Sequence, residues 1–288
     1  MHEKNIVSNY LSLVKFSHTI FALPFAIIGY FLAITYTPAT FDIKLFALVV
    51  LCMVFARSAA MGFNRFIDRN IDVQNTRTAI REIPAGVVKP KSALIFVIIN
   101  CLLFIITTYF INPLCFYLSP VALIVVLGYS LTKRFTALCH LILGVGLSLA
   151  PIGAYLAVTG KFDWLPLFFS FAVLFWVSGF DIIYALQDEE FDRSKNLRSI
   201  PVMLGKKGAL MLSNVLHFIS AAFIIYAGVY AEFNIWYWIG TGIYCALLFY
   251  QHLLVKPTDL SKVNLAFFTT NGIASVVFAV FVLISLCV

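Results

Sequence analysis

Asn64, Asp68 and Asp72 stand four residues apart, and on a helix that step places their side chains on one face. A second stripe, Tyr184, Asp188 and Asp192, repeats the step, with Asp181 one turn ahead of Tyr184. Carboxylate and amide oxygens with no cysteine or histidine beside them favour Mg²⁺ over Zn²⁺. Mg²⁺ is commonly held by one or two carboxylates and completed by substrate phosphates. The two stripes therefore point to metal-assisted handling of a diphosphate.

Basic residues supply the other half of such a site. Arg77 and Arg81 follow the first stripe, Lys133 and Arg134 lie in a short loop between apolar segments, and Arg198 follows the second stripe. Arginine engages phosphate oxygens in bidentate fashion and stabilises charge growing on a departing diphosphate. A plainer reading has solvated helix ends whose acids merely balance Arg65, Arg69 and Arg193. Two separate stripes at matching places along the chain argue against it.

The elements that position these residues belong in a bilayer. Of 288 residues, 62% are hydrophobic and 11% charged, and the mean hydropathy is +0.97, which excludes an ordinary soluble surface. A membrane-crossing helix needs about 20 apolar residues. Nine such stretches can be laid along the chain, near 17–36, 43–63, 92–111, 114–131, 138–158, 164–186, 208–230, 234–254 and 264–287. The polar start Met1 to Lys15 carries no cleavable-signal pattern, so insertion is expected to begin at the first helix. With nine spans and the N-terminus inside, all of the 20 Lys and Arg except Lys44 and Lys161 fall on the cytoplasmic side or on helix ends facing it. That excess serves topology and anionic lipid, and no nucleic-acid partner is expected. The six cysteines lie in or beside apolar spans without metal spacing and read as small hydrophobes.

Two longer connections, roughly 64–91 and 187–207, stand out and are cytoplasmic on this topology. Of the 13 acidic residues, Asp68, Asp72, Glu82, Asp181, Asp188, Glu189, Glu190 and Asp192 gather in them or in the helix ends leading into them. The stripes are separated by four spans, so a duplicated four-helix unit would return both to the same membrane face. The expected fold is thus all-α and polytopic, four plus four plus one helices in a single domain over 1–288, with repeats about 17–131 and 138–254 and an extra helix at 264–287. Gly146, Ala150 and Ala154 suggest close helix packing, and Pro151 among them a kink that neighbouring helices compensate.

These residues resemble the UbiA superfamily of intramembrane prenyltransferases. Its first signature, NxxxDxxxD, is matched by Asn64, Asp68 and Asp72, followed by Arg77-Thr78, Arg81 and Pro84-Ala85-Gly86. Its second, an aspartate pair four apart preceded by tyrosine, is matched by Tyr184, Asp188 and Asp192, with Asp181 as the upstream aspartate of many bacterial members. Tyr129-Ser130 through Lys133-Arg134, and Ser199 before Gly205, are similar too. The resemblance implies a nine-helix bundle around a central cavity, in which Asn64, Asp68, Asp72, Asp188 and Asp192 bind Mg²⁺ and a polyprenyl diphosphate. Some members carry lysine where this chain has Gln187, so that diphosphate contact would pass to Lys133 or an arginine.

On this basis the chain is expected to move a polyprenyl group from its diphosphate onto an aromatic quinone precursor, in the inner membrane of a bacterium with the site facing the cytoplasm. Asp68, Asp181 and Asp188 are the candidate catalytic acids, with Asp181 or Asp188 removing the acceptor proton. Arg77, Arg81, Lys133, Arg134, Tyr184 and Arg198 are the candidate substrate contacts, Tyr184 by cation–π attraction to an electron-poor prenyl carbon. His18 sits at the cytoplasmic end of the first span, where a polar helix-end role is the commoner one. The stretches Lys15-Phe-Ser17-His18-Thr and Tyr184-Ala-Leu-Gln-Asp188 look like the bacterial 4-hydroxybenzoate polyprenyltransferase-like branch, which includes members associated with menaquinone synthesis through the futalosine route. Competing expectations are a prenyltransferase of the same superfamily with a haem or lipid-ether acceptor, and a transporter gated by acidic helix ends. The clustering of the acids on one face and the lack of paired broken helices weigh against the transporter.

Overall fold

The computed structural model of the protein describes residues 6–14 and 21–288; His18 lies outside them. The elements are α1 (Ile6–Leu13), α2 (Leu23–Tyr36), α3 (Ile43–Asp72), α4 (Pro90–Tyr109), α5 (Pro113–Thr132), α6 (Cys139–Thr159), α7 (Trp164–Ala185), α8 (Glu189–Ser194), α9 (Ile200–Tyr230), α10 (Ile235–Leu254) and α11 (Asn271–Cys287). A 3₁₀ turn, Leu186–Asp188, joins α7 to α8, and a π-helical turn, Leu265–Thr270, leads into α11.

Seven helices among the described residues are long and apolar enough to cross a membrane: α3 to α6, α7 with its continuation to Ser194, α9, and Leu265–Cys287. The expected nine crossings are not reached by length and hydropathy alone. The apolar α2 has 14 residues, and α10 carries Trp236, Tyr237, Trp238, Gln251 and His252, which lower its hydropathy. Ile95, Ile98, Ile99 and Leu102 of α4, with Val121 and Ile124 of α5, are exposed, the lipid-facing pattern of a helix whose backbone bonds are all internal.

Local sequence sets the helix limits. Asp42, Asn112, Asp163 and Asn234 begin α3, α5, α7 and α10, each side chain accepting from a backbone N–H of the first turn. Gly205, at φ +68, breaks the helical dihedrals inside α9. The connection expected at 187–207 is therefore largely helical, and α9 begins at Ile200 rather than near 208.

Helix α7 packs against α6 and α9, and α2 against α6 and α11. At the centre Phe25, Phe169, Trp176, Tyr237, Tyr244 and Phe278 are fully buried. Ala150 and Ala154 pack against Ala26 and Tyr30 of α2 and against Ala22 just before it, as their spacing suggests. Gly146 does not make the closest approach, since a Cβ there would lie 3.7 Å from Val126. That role falls to Gly29, where a Cβ would stand 2.0 Å from the Pro151 carbonyl oxygen, and to Gly144, 2.5 Å from that of Leu174. Backbone cannot retreat as a side chain can, so Gly29→Ala forces α2 off α6. A loss of about 1–3 kcal/mol is expected, read as a lower melting temperature in detergent; unchanged melting would contradict the packing.

One buried polar cluster reaches toward the site. Asn271 accepts from Trp176 Nε1 at 2.9 Å and from Gln251 Nε2 at 2.6 Å, and donates to the Ala266 and Phe267 carbonyls. These bonds satisfy backbone that the π-helical turn leaves irregular. They hold Phe267, whose ring stacks on Tyr184 with centroids 4.1 Å apart.

Candidate active site

The first stripe is helical throughout, because α3 runs past the expected span end at 63 to Asp72. The second is not a continuous helix. The chain tightens into the 3₁₀ turn at Leu186–Asp188 and restarts as α8, so Asp188 and Asp192 leave the face that carries Asp181 and Tyr184. All four nonetheless line one cavity of about 280 Å³ with Asn64, Asp68 and Asp72.

Within it each aspartate of the two stripes has its own cation. Asp68 accepts from Arg134 at 2.8 Å and from Asn64 Nδ2 at 3.0 Å. Asp72, 4% exposed, takes both oxygens to one Arg81 nitrogen at 2.7 and 2.9 Å. Asp188 receives two guanidinium nitrogens of Arg77, with Nε at 3.0 Å, and Asn75 Nδ2 at 3.1 Å. Asp192, 1% exposed, pairs with Lys133 Nζ at 2.7 Å. Arg77 also donates to the Tyr184 hydroxyl at 2.9 Å and lies over its ring. Burial works against the Arg77 charge, but the hydrogen bonds and charge of Asp188 more than offset it and raise the guanidinium pKa. Asp181 differs from the rest, since its Oδ2 meets His140 Nδ1 at 2.7 Å.

The bases come from loops. Segment 73–89 folds back in turns over α3, held by Thr78 Oγ1 on the Asp72 carbonyl at 3.0 Å, and this brings Arg77 and Arg81 over the acids. Arg198 does not line the cavity. It is exposed, donates a side-chain N–H to the Phe135 carbonyl at 2.7 Å and its backbone N–H to the Lys133 carbonyl at 2.8 Å, bracing the loop that carries Lys133. Its place after the second stripe told nothing of this, because α8 turns the chain outward first.

A second cavity of about 360 Å³, lined almost wholly by apolar side chains of α3, α4, α5 and α6, adjoins the first. Arg57, Met61, Tyr129, Leu143 and Leu147 line both. Arg57 Nε is buried without a hydrogen-bond partner among the described residues. In the sequence Arg57 passed for one more positive-inside charge; its place inside the first apolar stretch after Lys44 was the available signal.

The family model described as the UbiA prenyltransferase family matches residues 22–273. The chain belongs to this family. A 4-hydroxybenzoate octaprenyltransferase of Nitrosomonas europaea is 30% identical over 83% of this chain and 81% of its own length. One of Francisella tularensis is 28% identical over 84% and 85%. The apo structure of a UbiA homologue from Aeropyrum pernix matches with TM-score 0.83 and 29% identity, covering 93% of this chain and 97% of that one. A homologue from Archaeoglobus fulgidus bound to DMAPP and Mg²⁺ has the same fold, with TM-score 0.77 and 22% identity over 98% of this chain and all of its own. This UbiA chain is therefore an integral membrane prenyltransferase.

The donor set can be tested against a metal ion. Among the described residues no three His, Cys, Asp or Glu side chains converge into a metal cage. The acids facing the cavity supply only oxygens, from α3 on one wall and from the 3₁₀ turn and α8 on another. That set fits Mg²⁺, which accepts one or two carboxylates when phosphate oxygens complete its shell, and does not fit a closed zinc site.

Proposed function

We propose that this UbiA-family enzyme transfers a polyprenyl group from its diphosphate onto an aromatic acid of the 4-hydroxybenzoate or dihydroxynaphthoate type, a precursor of ubiquinone or menaquinone. One observation carries the reading: a chamber holding both aspartate stripes and their cations adjoins an apolar chamber, with the Arg57 guanidinium at the junction. The diphosphate belongs with the charged groups and the prenyl chain with the apolar lining. The acceptor ring lies between them, its carboxylate on Arg57. The relatives named 4-hydroxybenzoate octaprenyltransferase support that choice.

Asn64, Asp68 and Asp72 would hold Mg²⁺ on one side and Asp188 and Asp192 on the other. Bound there, Mg²⁺ supplies Lewis-acid stabilisation of the leaving diphosphate. With those carboxylates holding the ion, Arg77, Arg81, Lys133 and Arg134 would be free to engage phosphate oxygens, so both partners of each ion pair would remain satisfied. Tyr184, stacked on Phe267, would offer the prenyl carbon its ring once Arg77 turns from it to phosphate, and the apolar lining keeps competing water away.

Counting α2 and α10 as crossings beside the seven would put 64–91 and 187–207 at the cytoplasmic face of a bacterial inner membrane, a reading that the distribution of Lys and Arg supports. The test of function uses purified protein, Mg²⁺, a polyprenyl diphosphate, and separate 4-hydroxybenzoate, dihydroxynaphthoate and glyceryl phosphate acceptors, with products identified by mass. A prenylated aromatic acid is the expected product. Prenylation of glyceryl phosphate alone, or no diphosphate release with any acceptor, would overturn the proposal.

A further inference from the structure

Four aromatic side chains that line the charged chamber touch one another, and Phe267 is their hub. Its ring stacks on Tyr184 with centroids 4.1 Å apart and meets Phe180 and Phe21 edge-on at 5.3 and 5.7 Å. Ordinary core packing would not need irregular backbone beneath such a ring. A π-helical turn holds one residue more than an α-helical turn, and such turns are frequent at functional sites. Were Leu265–Thr270 regular α-helix, Phe267 would swing by one residue's rotation, about 100°, relative to α11 and turn off Tyr184.

Polar groups buried among apolar helices maintain the turn. Asn271 is fully buried and uses its whole bonding capacity, since Oδ1 accepts from Trp176 Nε1 and Gln251 Nε2 while Nδ2 donates to the Ala266 and Phe267 carbonyls. Trp176 and Gln251 are fully buried too. Polar side chains are costly inside a membrane bundle and commonly serve function. Tyr184 gives this cluster a purpose. Arg77 donates to the Tyr184 hydroxyl at 2.9 Å and lies over its ring, and both contacts end once Arg77 turns to phosphate. Phe267 then remains stacked on the ring, with Phe268 edge-on at 5.8 Å.

From this geometry we infer that Phe267 is a positioning residue for prenyl transfer: it holds the Tyr184 ring against the prenyl carbon while Arg77 is away, and the Asn271 cluster keeps Phe267 in place through the π-helical turn. The inference rests on the place proposed above for the prenyl carbon. The prenyl C–O bond breaks with its electron pair leaving on the diphosphate. A π pair of the acceptor ring forms the new C–C bond, and the ring carbon then releases its proton and regains aromaticity. Water competes for the same prenyl carbon, its oxygen forming the bond and shedding one proton to leave prenyl alcohol. A Tyr184 ring held in place covers that carbon and favours the acceptor.

The ratio of prenyl alcohol to prenylated acid distinguishes this role from a structural one, because loss of folded protein lowers both products alike. Purified protein is given Mg²⁺, a polyprenyl diphosphate and 4-hydroxybenzoate or dihydroxynaphthoate. Phe267→Leu should raise the ratio about 3- to 10-fold, the range that one aromatic pair supplies. Phe267→Tyr keeps the stack and should stay near the wild-type ratio. Tyr184→Leu should raise the ratio at least as far as Phe267→Leu, and adding Phe267→Leu to it should change the ratio by less than about twofold, since the partner is already gone. Asn271→Ala should imitate Phe267→Leu; should it fail to fold, the Phe267 and Tyr184 variants carry the test. An unchanged ratio in Phe267→Leu, or the same rise with and without Tyr184, overturns the inference. A folded Asn271→Ala with the wild-type ratio overturns the part given to the polar cluster. Wild-type rate and ratio in Tyr184→Leu would remove the place proposed for the prenyl carbon, whereas a rise in Tyr184→Leu without one in Phe267→Leu removes this inference alone.

Discussion

Asp188→Ala is expected to lower prenyl transfer by on the order of 10³-fold while leaving membrane insertion close to wild type. Asp188 accepts from Arg77 and from Asn75, residues of the loop that folds back over α3. Without it the loop loses its anchor on the second stripe, Arg77 is no longer aimed into the chamber, and one proposed Mg²⁺ ligand is gone. Loss of a single preorganised electrostatic group commonly costs about 10²–10³ in rate, and here two functions meet on one carboxylate. Insertion should survive because Asp188 lies beyond the apolar part of α7. Asp68→Ala on the other wall should behave alike, and chelation by EDTA should stop the wild-type enzyme until Mg²⁺ is returned. Diphosphate release and product mass are the measurements. Wild-type turnover in either aspartate variant would remove the metal-site assignment.

Arg57→Met carries the second large effect, in two opposite directions. A half-buried guanidinium whose buried Nε lacks a partner costs the apo protein stability. The methionine variant should therefore melt higher than wild type. Truncating one member of a buried charge pair costs about 2–5 kcal/mol, so kcat/KM for a carboxylated acceptor should fall by roughly 30- to 4,000-fold. A phenol without the carboxylate should be prenylated no worse by the variant than by wild type. An equal loss for both acceptors, or a lower melting temperature, would mean that Arg57 supports the fold instead of holding the acceptor.

Legible from the sequence were an all-helical membrane chain with its apolar stretches, though not their count or limits, the two stripes of acids, and the chemistry that oxygen ligands beside arginines can perform. These features are local. Backbone bonds in lipid must close within each helix, so an apolar run declares its own structure, and a step of four residues puts Asn64, Asp68 and Asp72 on one side of α3 whatever packs around it. Tertiary structure decided the pairings. Nothing in the spacing says that Arg134 meets Asp68 while Lys133 beside it meets Asp192, because adjacent residues point apart and the partners lie on different helices. Nor does spacing reveal that Asp188 leaves the α7 face through a 3₁₀ turn, that Arg198 braces a loop, or that His140 reaches Asp181. Those outcomes depend on how closely helices approach at Gly29 and Gly144, a contact between distant parts of the chain that no local pattern encodes.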